Sequence, residues 1–475
     1  MSSINQNEST SFKPSLGLLD ATMIVAGSMI GSGIFIVSSE IARSVGSAGW
    51  LMAMWVLTGV VTLIAALSYG ELSGMFPKAG GQYVYLREAY NPFIAFLFGW
   101  TQFGVIQTGT IAAVAVAFAK YTAYLWPAVS ENNILADLGW MKITGAQVLA
   151  VISVILLTFI NTRGVKNGKI IQTVFTITKL ASLFGLIIFG FLLGAKAEIW
   201  NANWQNAWTA QSLTMDSAGQ LTTAALGGLA LLGAISVSMK GSLFSSDAWN
   251  NVTFIAAEIK NPNKNIGRAL FLGTLIVTII YVSANLMYLA VVPFNDIAFA
   301  PLDRVGVVAA ENIFGGIGPH VIAIMIMIST FGCNNGLILS GARIYYTMAE
   351  DGLFFRKAGI LNKFSVPSFG LWIQCFWTCL LCLTGRYGDL LAMVIFGVLV
   401  FYILTIAGIF ILRKKQPDVP RPYKAFGYPV LPALYIVVAF ILALLLLVFE
   451  SSFALAGLGI ILLGIPLYFL AKKTA

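Results

Sequence analysis

The chain is poor in charge. Only 10% of its 475 residues are Asp, Glu, Lys or Arg, while 58% are hydrophobic, a balance that excludes an ordinary water-facing globular domain. Histidine is almost missing: His320 stands alone beside Pro319, at the outer end of an apolar run where a solvated ring is expected and a proton relay is not. Without a His/Cys cluster at ligand spacing, neither a metal nor any other cofactor is expected. The four cysteines, Cys333, Cys375, Cys379 and Cys382, all fall in apolar segments, so no disulfide framework is indicated. Cys379 and Cys382 form a C-x-x-C, but inside a greasy helix without a nearby histidine it reads as packing. The first apolar run follows a polar tail, Met1 to Lys13, and is broken by glycine with no A-x-A cleavage site; it is expected to be a retained span. The formal net charge of +9 invites a nucleic-acid reading, yet the basic residues sit in short loops, which is the positive-inside pattern of a membrane protein.

What the sequence has in abundance is apolar runs of about 20 residues, each long enough for a hydrocarbon core of roughly 30 Å. Twelve spans are predicted. Span 1 runs from about Leu16 to Arg43, span 2 from Trp50 to Phe76, span 3 from Pro92 to Tyr124, and span 4 ends at Asn161. Span 5 covers about Ile170 to Leu193, span 6 begins near Leu221, span 7 covers Ala269 to Val292 and span 8 Pro319 to Met348. Spans 9 and 10, Ser368 to Leu383 and Leu390 to Leu412, precede a basic loop and the last two spans. Arg163, Lys166 and Lys169, then Arg356, Lys357 and Lys363, then Arg413 to Lys424, then Lys472 and Lys473 mark the cytoplasmic side. The loop Trp126 to Met141, with Glu131 and Asp137, the stretch with Trp200, Trp204 and Trp208, and the loop with Asp296, Asp303 and Glu311 are expected outside. Both termini are then cytoplasmic in a multi-pass protein of the cell's inner, cytoplasmic membrane.

Span 1 contains an anomaly. Gly27-Ser28-Met29-Ile30-Gly31-Ser32-Gly33-Ile34-Phe35 holds three glycines and two serines in nine residues, and each interior glycine weakens a helix by roughly 1 kcal/mol. Non-helical backbone at membrane depth is tolerated only where it is buried or lines a cavity. An opened helix there points N–H groups at an anion and C=O groups at a cation, and an amino-acid zwitterion carries both. Close packing through the Gly27/Gly31 pair is the competing explanation. Span 6 has a second interruption, Ser242 to Asn250, five spans later. An odd offset inverts the second copy relative to the first, which points to an inverted-repeat transporter with its site where the broken helices meet. The chain divides accordingly into a cytoplasmic tail (1–15), a first repeat (16–194, broken at 30–34), an outer loop (195–220), a second repeat (221–412, broken at 244–248) and a basic loop with two further helices (413–475).

Lys179 lies about ten residues into span 5, on the order of 15 Å along the helix axis, too deep for its stem to reach the interface. A charge at that depth faces the bundle interior, where it pairs, fills a cation's place, or loses its proton and couples transport to protons. Asp247, within the second break, has three readings: it caps the second half-helix together with Ser245 and Ser246, pairs with Lys240, or biases a site towards cationic or larger polar amino acids. Gln102 and Gln107 on span 3, and Asn334 and Asn335 on span 8, either line a site or bond between helices; Gly332 and Gly336 read as packing.

Gly31-Ser32-Gly33-Ile34-Phe35, the loop Gly80-Gly81-Gln82-Tyr83, Lys179, Leu243-Phe244 with Trp249-Asn250, and Glu258-x-x-Asn261-Pro262, in this order, resemble the amino acid/polyamine/organocation (APC) superfamily, and within it the L-type amino acid transporters. The resemblance runs from about Leu16 to Arg421. It implies an all-α membrane protein with a LeuT-like fold: ten core helices in a 5+5 inverted repeat plus two more. It implies that the N–H groups of Gly31, Ser32 and Gly33 bind the substrate carboxylate, and that carbonyls at Met29, Phe244 and Asp247 take the amino group. Ser245 belongs to the same substrate site, Phe244 resembles the gate over bound substrate, and Lys179 stands where sodium-coupled relatives hold a sodium ion, between spans 1 and 8.

The function expected is secondary transport of L-amino acids by alternating access, as an exchanger; a proton-coupled symporter or a cationic amino acid/polyamine carrier is the alternative. A membrane enzyme is disfavoured because no nucleophile sits with a plausible base, and a channel because the two breaks are unlike and no filter repeats. The partners implied are a small amino-acid substrate and the lipid bilayer, with no nucleic acid; proton coupling and the oligomeric state stay open.

Overall fold

Backbone that cannot hydrogen-bond to lipid must close on itself, and this chain does so almost wholly through helices. The computed structural model describes residue 12 and residues 14–474, except 138, 140, 141, 217, 218, 385 and 386. The predicted tail 1–11 with Lys13, the loop end Met141, and the side chains of Lys166, Lys169 and Lys473 lie outside the described residues. Among the described residues ten helices are long and apolar enough to cross a membrane, and two shorter apolar helices, Leu18–Met29 and Ser368–Leu383, fall in predicted spans 1 and 9. The ends of the spans that carry the Lys/Arg-rich loops are called inner below.

The helix boundaries follow local chemistry. Span 3 starts at Asn91, whose Oδ1 accepts from Ile94 N–H (3.0 Å), with Pro92 in the first turn. Span 4 starts on a capping box between Thr144 and Gln147, and span 7 (Pro262–Val291) on a left-handed Asn261 followed by proline. Each of these satisfies or removes an N–H that lipid could not. Span 3 is not a uniform α-helix, because Gln102–Ile106 forms a π-helical turn within it.

Span 1 is broken. Its inner segment is Leu18–Met29, its outer segment Val37–Val45, and only a short 3-10 turn, Gly33–Phe35, lies between. Span 6 differs from expectation at both ends. Leu221–Ala225 pairs with Gln211–Met215 in an antiparallel hairpin, so the helix begins at Gly228 and not near Leu221. Its apolar threonine- and alanine-rich start satisfies a strand as well as a helix. Phe244 and Ser245 are its last helical residues. The break runs from Ser246 to Asn250, with Ala248 in the left-handed region (φ 64°), and a single turn, Asn251–Phe254, follows.

Buried ion pairs tie the bundle together. At the inner end of span 2 (Ala48–Met75), Glu71 is fully buried and accepts from Arg413 Nε (3.0 Å), Arg413 Nη2 (2.7 Å) and Ala425 N–H (2.7 Å), with Arg421 Nε 3.4 Å away. Arg421 also donates to the carbonyls of Leu412 and Gln416, closing the end of span 10 (Tyr387–Lys415). Towards the outer side Lys240 of span 6 meets Glu40 of span 1 (3.4 Å) and Glu450 (2.9 Å) at the end of span 11 (Val430–Phe449).

A buried carboxylate with these donors leaves uncompensated charge when neutralised, at a cost of about 3 kcal/mol. Glu71→Gln is therefore expected to lower the melting temperature of the detergent-purified protein by several degrees. An unchanged melting curve would remove the network from the list of stabilising contacts.

Candidate functional site

The first break exposes a row of carbonyls, and side chains from three other spans meet them. Lys179 Nζ, buried on span 5, donates to Gly27 O (2.6 Å) and Ile30 O (2.7 Å) of span 1 and to Ser329 O (3.3 Å) of span 8 (Gly318–Glu350). Ser329 Oγ lies 3.3 Å from Ile30 O and 3.1 Å from Gly31 O, and Cys333 Sγ lies 3.0 Å from Ser28 O. From span 7 the Tyr281 hydroxyl stands 3.2 Å from Met29 O and 2.9 Å from Ser245 O, so one phenol spans both breaks. Tyr288 of the same span reaches Ile34 O at 3.4 Å. A carbonyl in hydrocarbon without a donor costs several kcal/mol, and these residues supply the donors that the missing helical turns would have given.

The first break touches the span 6 helix at its last residue, just before the second break. A methyl group on Gly33 would lie 2.0 Å from Ser245 Oγ and 2.6 Å from its Cβ, whereas one on Gly31 would meet nothing nearer than Cys333 Sγ at 3.5 Å. Gly27, in turn, lies against Gln172 and Thr176 of span 5. The two explanations of the glycine run thus apply to different residues: Gly27 is a packing glycine, and Gly33 allows the end of the span 6 helix to approach the first break. Among the described residues the N–H groups of Gly31 and Gly33 have no backbone carbonyl partner.

Asp247 is buried and does neither of the local things expected of it. The single-turn helix has Asn250 as its N-cap and receives no side-chain cap, and Lys240 is taken by Glu40 and Glu450. Instead Asp247 Oδ1 accepts from the Tyr402 hydroxyl of span 10 at 2.6 Å. Tyr69, Trp249 and Tyr402 pack edge-on and tilted around this pair, with ring centroids 4.8 to 5.8 Å apart. Phe244, almost buried, closes the helix just before it.

Span 3 and span 8 divide their amides between two networks. Gln102 Nε2 donates to Gln107 Oε1 (3.0 Å), and Gln107 Nε2 to Leu337 O (2.7 Å), beside the second break. Asn335 belongs to a chain below Lys179, from Asn161 (3.0 Å) through Asn335 to Gln172 (3.1 Å); Gly332 and Gly336 pack against Phe175 and Ser28. His320 is exposed at a helix end beside the Tyr124 ring.

Contacts join the spans at both ends of the bundle. On the inner side Ser15 and Leu16 N–H donate to Glu258 O (2.9 and 3.0 Å), Lys260 N–H donates to Leu16 O (2.8 Å), and Arg343 Nε donates to Glu258 Oε1 (2.8 Å). Phe12 lies against Tyr346 and under Arg343. Tyr83 and Arg87, on the inner loop helix Gln82–Ala89, both bind Asp351; burial, and then that carboxylate, push the Tyr83 hydroxyl up. On the outer side Arg43 donates to Asp303 and to Ala298 O. Tyr281, Ser329, Tyr402 and Arg343 had no local sequence signal: each has a partner 36 to 299 positions away.

Overpacking at a contact of 2.0 Å costs about 1–3 kcal/mol. Gly33→Ala is expected to lower the melting temperature measurably, Gly33→Ala/Ser245→Gly to recover most of the loss, and Gly31→Ala to leave it nearly unchanged. Equal effects of the two alanines would contradict the contact between Gly33 and Ser245.

Residues 16–465 match the family model described as amino acid permease. The chain is 30% identical over 460 residues to the large neutral amino acids transporter small subunit 2 of Mus musculus, covering 96% of this chain and 81% of that protein. It is also 30% identical over 469 residues to the serine/threonine exchanger SteT of Bacillus subtilis, covering 98% of each, and 26% identical over 466 residues to the b(0,+)-type amino acid transporter 1 of Mus musculus. Helices nearly throughout, a break within each of spans 1 and 6 and a match along almost the whole length agree with an all-α, LeuT-like membrane protein. The chain belongs to the amino acid permease family of the APC superfamily.

Proposed function

We propose that the protein exchanges L-amino acids across the cytoplasmic membrane by alternating access, with both termini on the cytoplasmic side. The reading rests above all on one observation: the unwound segment of span 1 meets the span 6 helix at Ser245, its last helical residue before the second break, with a lysine ammonium holding the carbonyls of the first break. Relatives named as exchangers or amino-acid transporters support it. Under this reading twelve spans form two inverted repeats and an added pair, with the second repeat starting at the helix that opens at Gly228.

The substrate carboxylate sits on the N–H groups of Gly31, Ser32 and Gly33. Its ammonium faces the carbonyls of Met29, Phe244 and Asp247, beside Ser245, and the Phe244 ring closes over it. Tyr281, now between Met29 O and Ser245 O, gives way to the substrate ammonium or shares the carbonyls with it, since each oxygen has two lone pairs. Opening inwards separates the strap at Ser15 and Leu16 from Glu258, and opening outwards parts Arg43 from Asp303. No step of this cycle makes or breaks a covalent bond.

Lys179 bears on the alternative of proton coupling. Its three N–H donors meet three carbonyl acceptors, the ligand set that a bound cation would otherwise hold. That supports a fixed cation in place of a metal ion over a proton carrier.

The test is uptake of a panel of labelled amino acids into proteoliposomes. Internal substrate is expected to accelerate uptake several-fold, and an imposed pH gradient to leave it unchanged. Lys179→Met, which leaves the carbonyls without a donor, is expected to cut the rate at least tenfold. Uptake that follows the pH gradient and ignores internal substrate would replace exchange with proton symport.

A further inference from the structure

Several cations at the outer end of the bundle each meet an acid. Arg43 binds Asp303, Lys240 binds Glu40 and Glu450, Lys120 lies 3.9 Å from Glu131, and Lys142 lies 3.6 Å from Asp137. Arg304 is left out. Its neighbour Asp303 already binds Arg43, and among the described residues no carboxylate or carbonyl accepts from its guanidinium. Nor is it a freely hydrated surface arginine. The side chain is half-buried, and its Nε is shut away from water without a partner. Its guanidinium carbon stands 5.4 Å from the centre of the Tyr121 ring, which is itself fully buried near the outer end of span 3. A ring face offsets part of a cation's lost hydration but leaves the N–H groups without an acceptor, and an anion supplies what is missing.

The backbone holds the residue in place under strain. Leu302 (φ 56°) and Asp303 (φ 59°) are both left-handed, a conformation that two consecutive L-residues rarely adopt. Such strain persists where the surroundings fix it, and here it sets Arg304 at the head of the outer-loop helix Val305–Phe314. That helix packs on the first break. A methyl group on Gly306 would lie 2.9 Å from Phe35 Cδ1, and Phe35 closes the 3-10 turn that starts at Gly33. Arg304 is less than a turn from Gly306, as Phe35 is from Gly33. The unpaired guanidinium therefore stands next to the outer end of the break whose N–H groups are assigned to the substrate carboxylate.

We propose that Arg304 is a capture site on the outer face: it binds the carboxylate of an arriving α-amino acid before that carboxylate passes to Gly31, Ser32 and Gly33. The assignment rests on the exchange reading above. A guanidinium takes a carboxylate through two parallel N–H···O bonds. Because Arg304 is only half-buried, water screens the pair and keeps it weak enough to release the substrate inwards. The side chain of the amino acid takes no part. Arg304 sets how well the outer face captures an amino acid, and not which one.

The experiment measures half-saturation separately on the outer and inner faces of right-side-out vesicles, with two amino acids that the panel above shows to be exchanged, labelled L-serine and L-leucine first. Arg304→Gln is expected to raise the external value about fivefold relative to the internal one, by the same factor for both amino acids. Arg304→Lys, which keeps the charge, is expected to recover part of the loss. Arg304→Cys separates charge from shape within one folded protein. Labelled from outside with a cationic methanethiosulfonate it is expected to regain external capture, and with an anionic one to lose more; the unaltered protein, treated alike, controls for the native cysteines. Cationic and anionic labels acting alike, or external and internal values rising together, would overturn the capture site and leave exchange standing. If the unaltered protein exchanges no amino acid of the panel, exchange falls and the capture site with it.

Discussion

The bilayer's refusal to hydrogen-bond organises this molecule. Opening span 1 between Ile30 and Ile36 strands carbonyls that a continuous helix would have satisfied, and the fold answers with side chains placed one by one. Lys179 takes Gly27 and Ile30, Ser329 takes Gly31, Cys333 takes Ser28, and Tyr281 and Tyr288 take Met29 and Ile34. These donors come from spans 5, 7 and 8, which fixes how those spans must stand around the break. The break is thus not a soft spot in a helix. Six of its carbonyls are met by side chains, and those side chains belong to three different spans.

The same logic governs charge. Lys240, Glu71, Glu258 and Arg343 are buried or nearly so, and each is paired. A buried pair contributes little over an apolar one but costs a great deal when halved, so such pairs specify one arrangement of spans more than they strengthen it. Glu71 fixes the loop after span 10 to span 2, Glu258 fixes the inner end of span 6 to span 8, and Lys240 fixes span 11 to spans 1 and 6.

Much of this was legible in the sequence, for physical reasons. Apolar length gives spans, a glycine cluster gives a break, and a lysine deep in an apolar run gives an interior cation, because each carries a large cost that only one kind of structure relieves. The hairpin at Leu221–Ala225 was not legible, since a short threonine- and alanine-rich segment has no period that separates strand from helix. The fate of Asp247 was not legible either. Local chemistry offered a cap or Lys240, and both lost to Tyr402, 155 residues away. The π-turn that aligns Gln102 with Gln107 leaves no pattern in the letters at all; its effect appears only once the i+5 bond is drawn.

The cluster at Lys240 joins the outer half of span 1, the outer half of span 6 and the end of span 11 through one ammonium. Span 11 carries Val437, Phe440, Leu444 and Val448 on an exposed stripe, the face that acyl chains wet. A tilt of the two broken helices that kept these pairs would carry that stripe with it through the surrounding lipid. The thickness and stiffness of the membrane then enter as a mechanical load on turnover, and the bilayer acts as a spring in parallel with the protein.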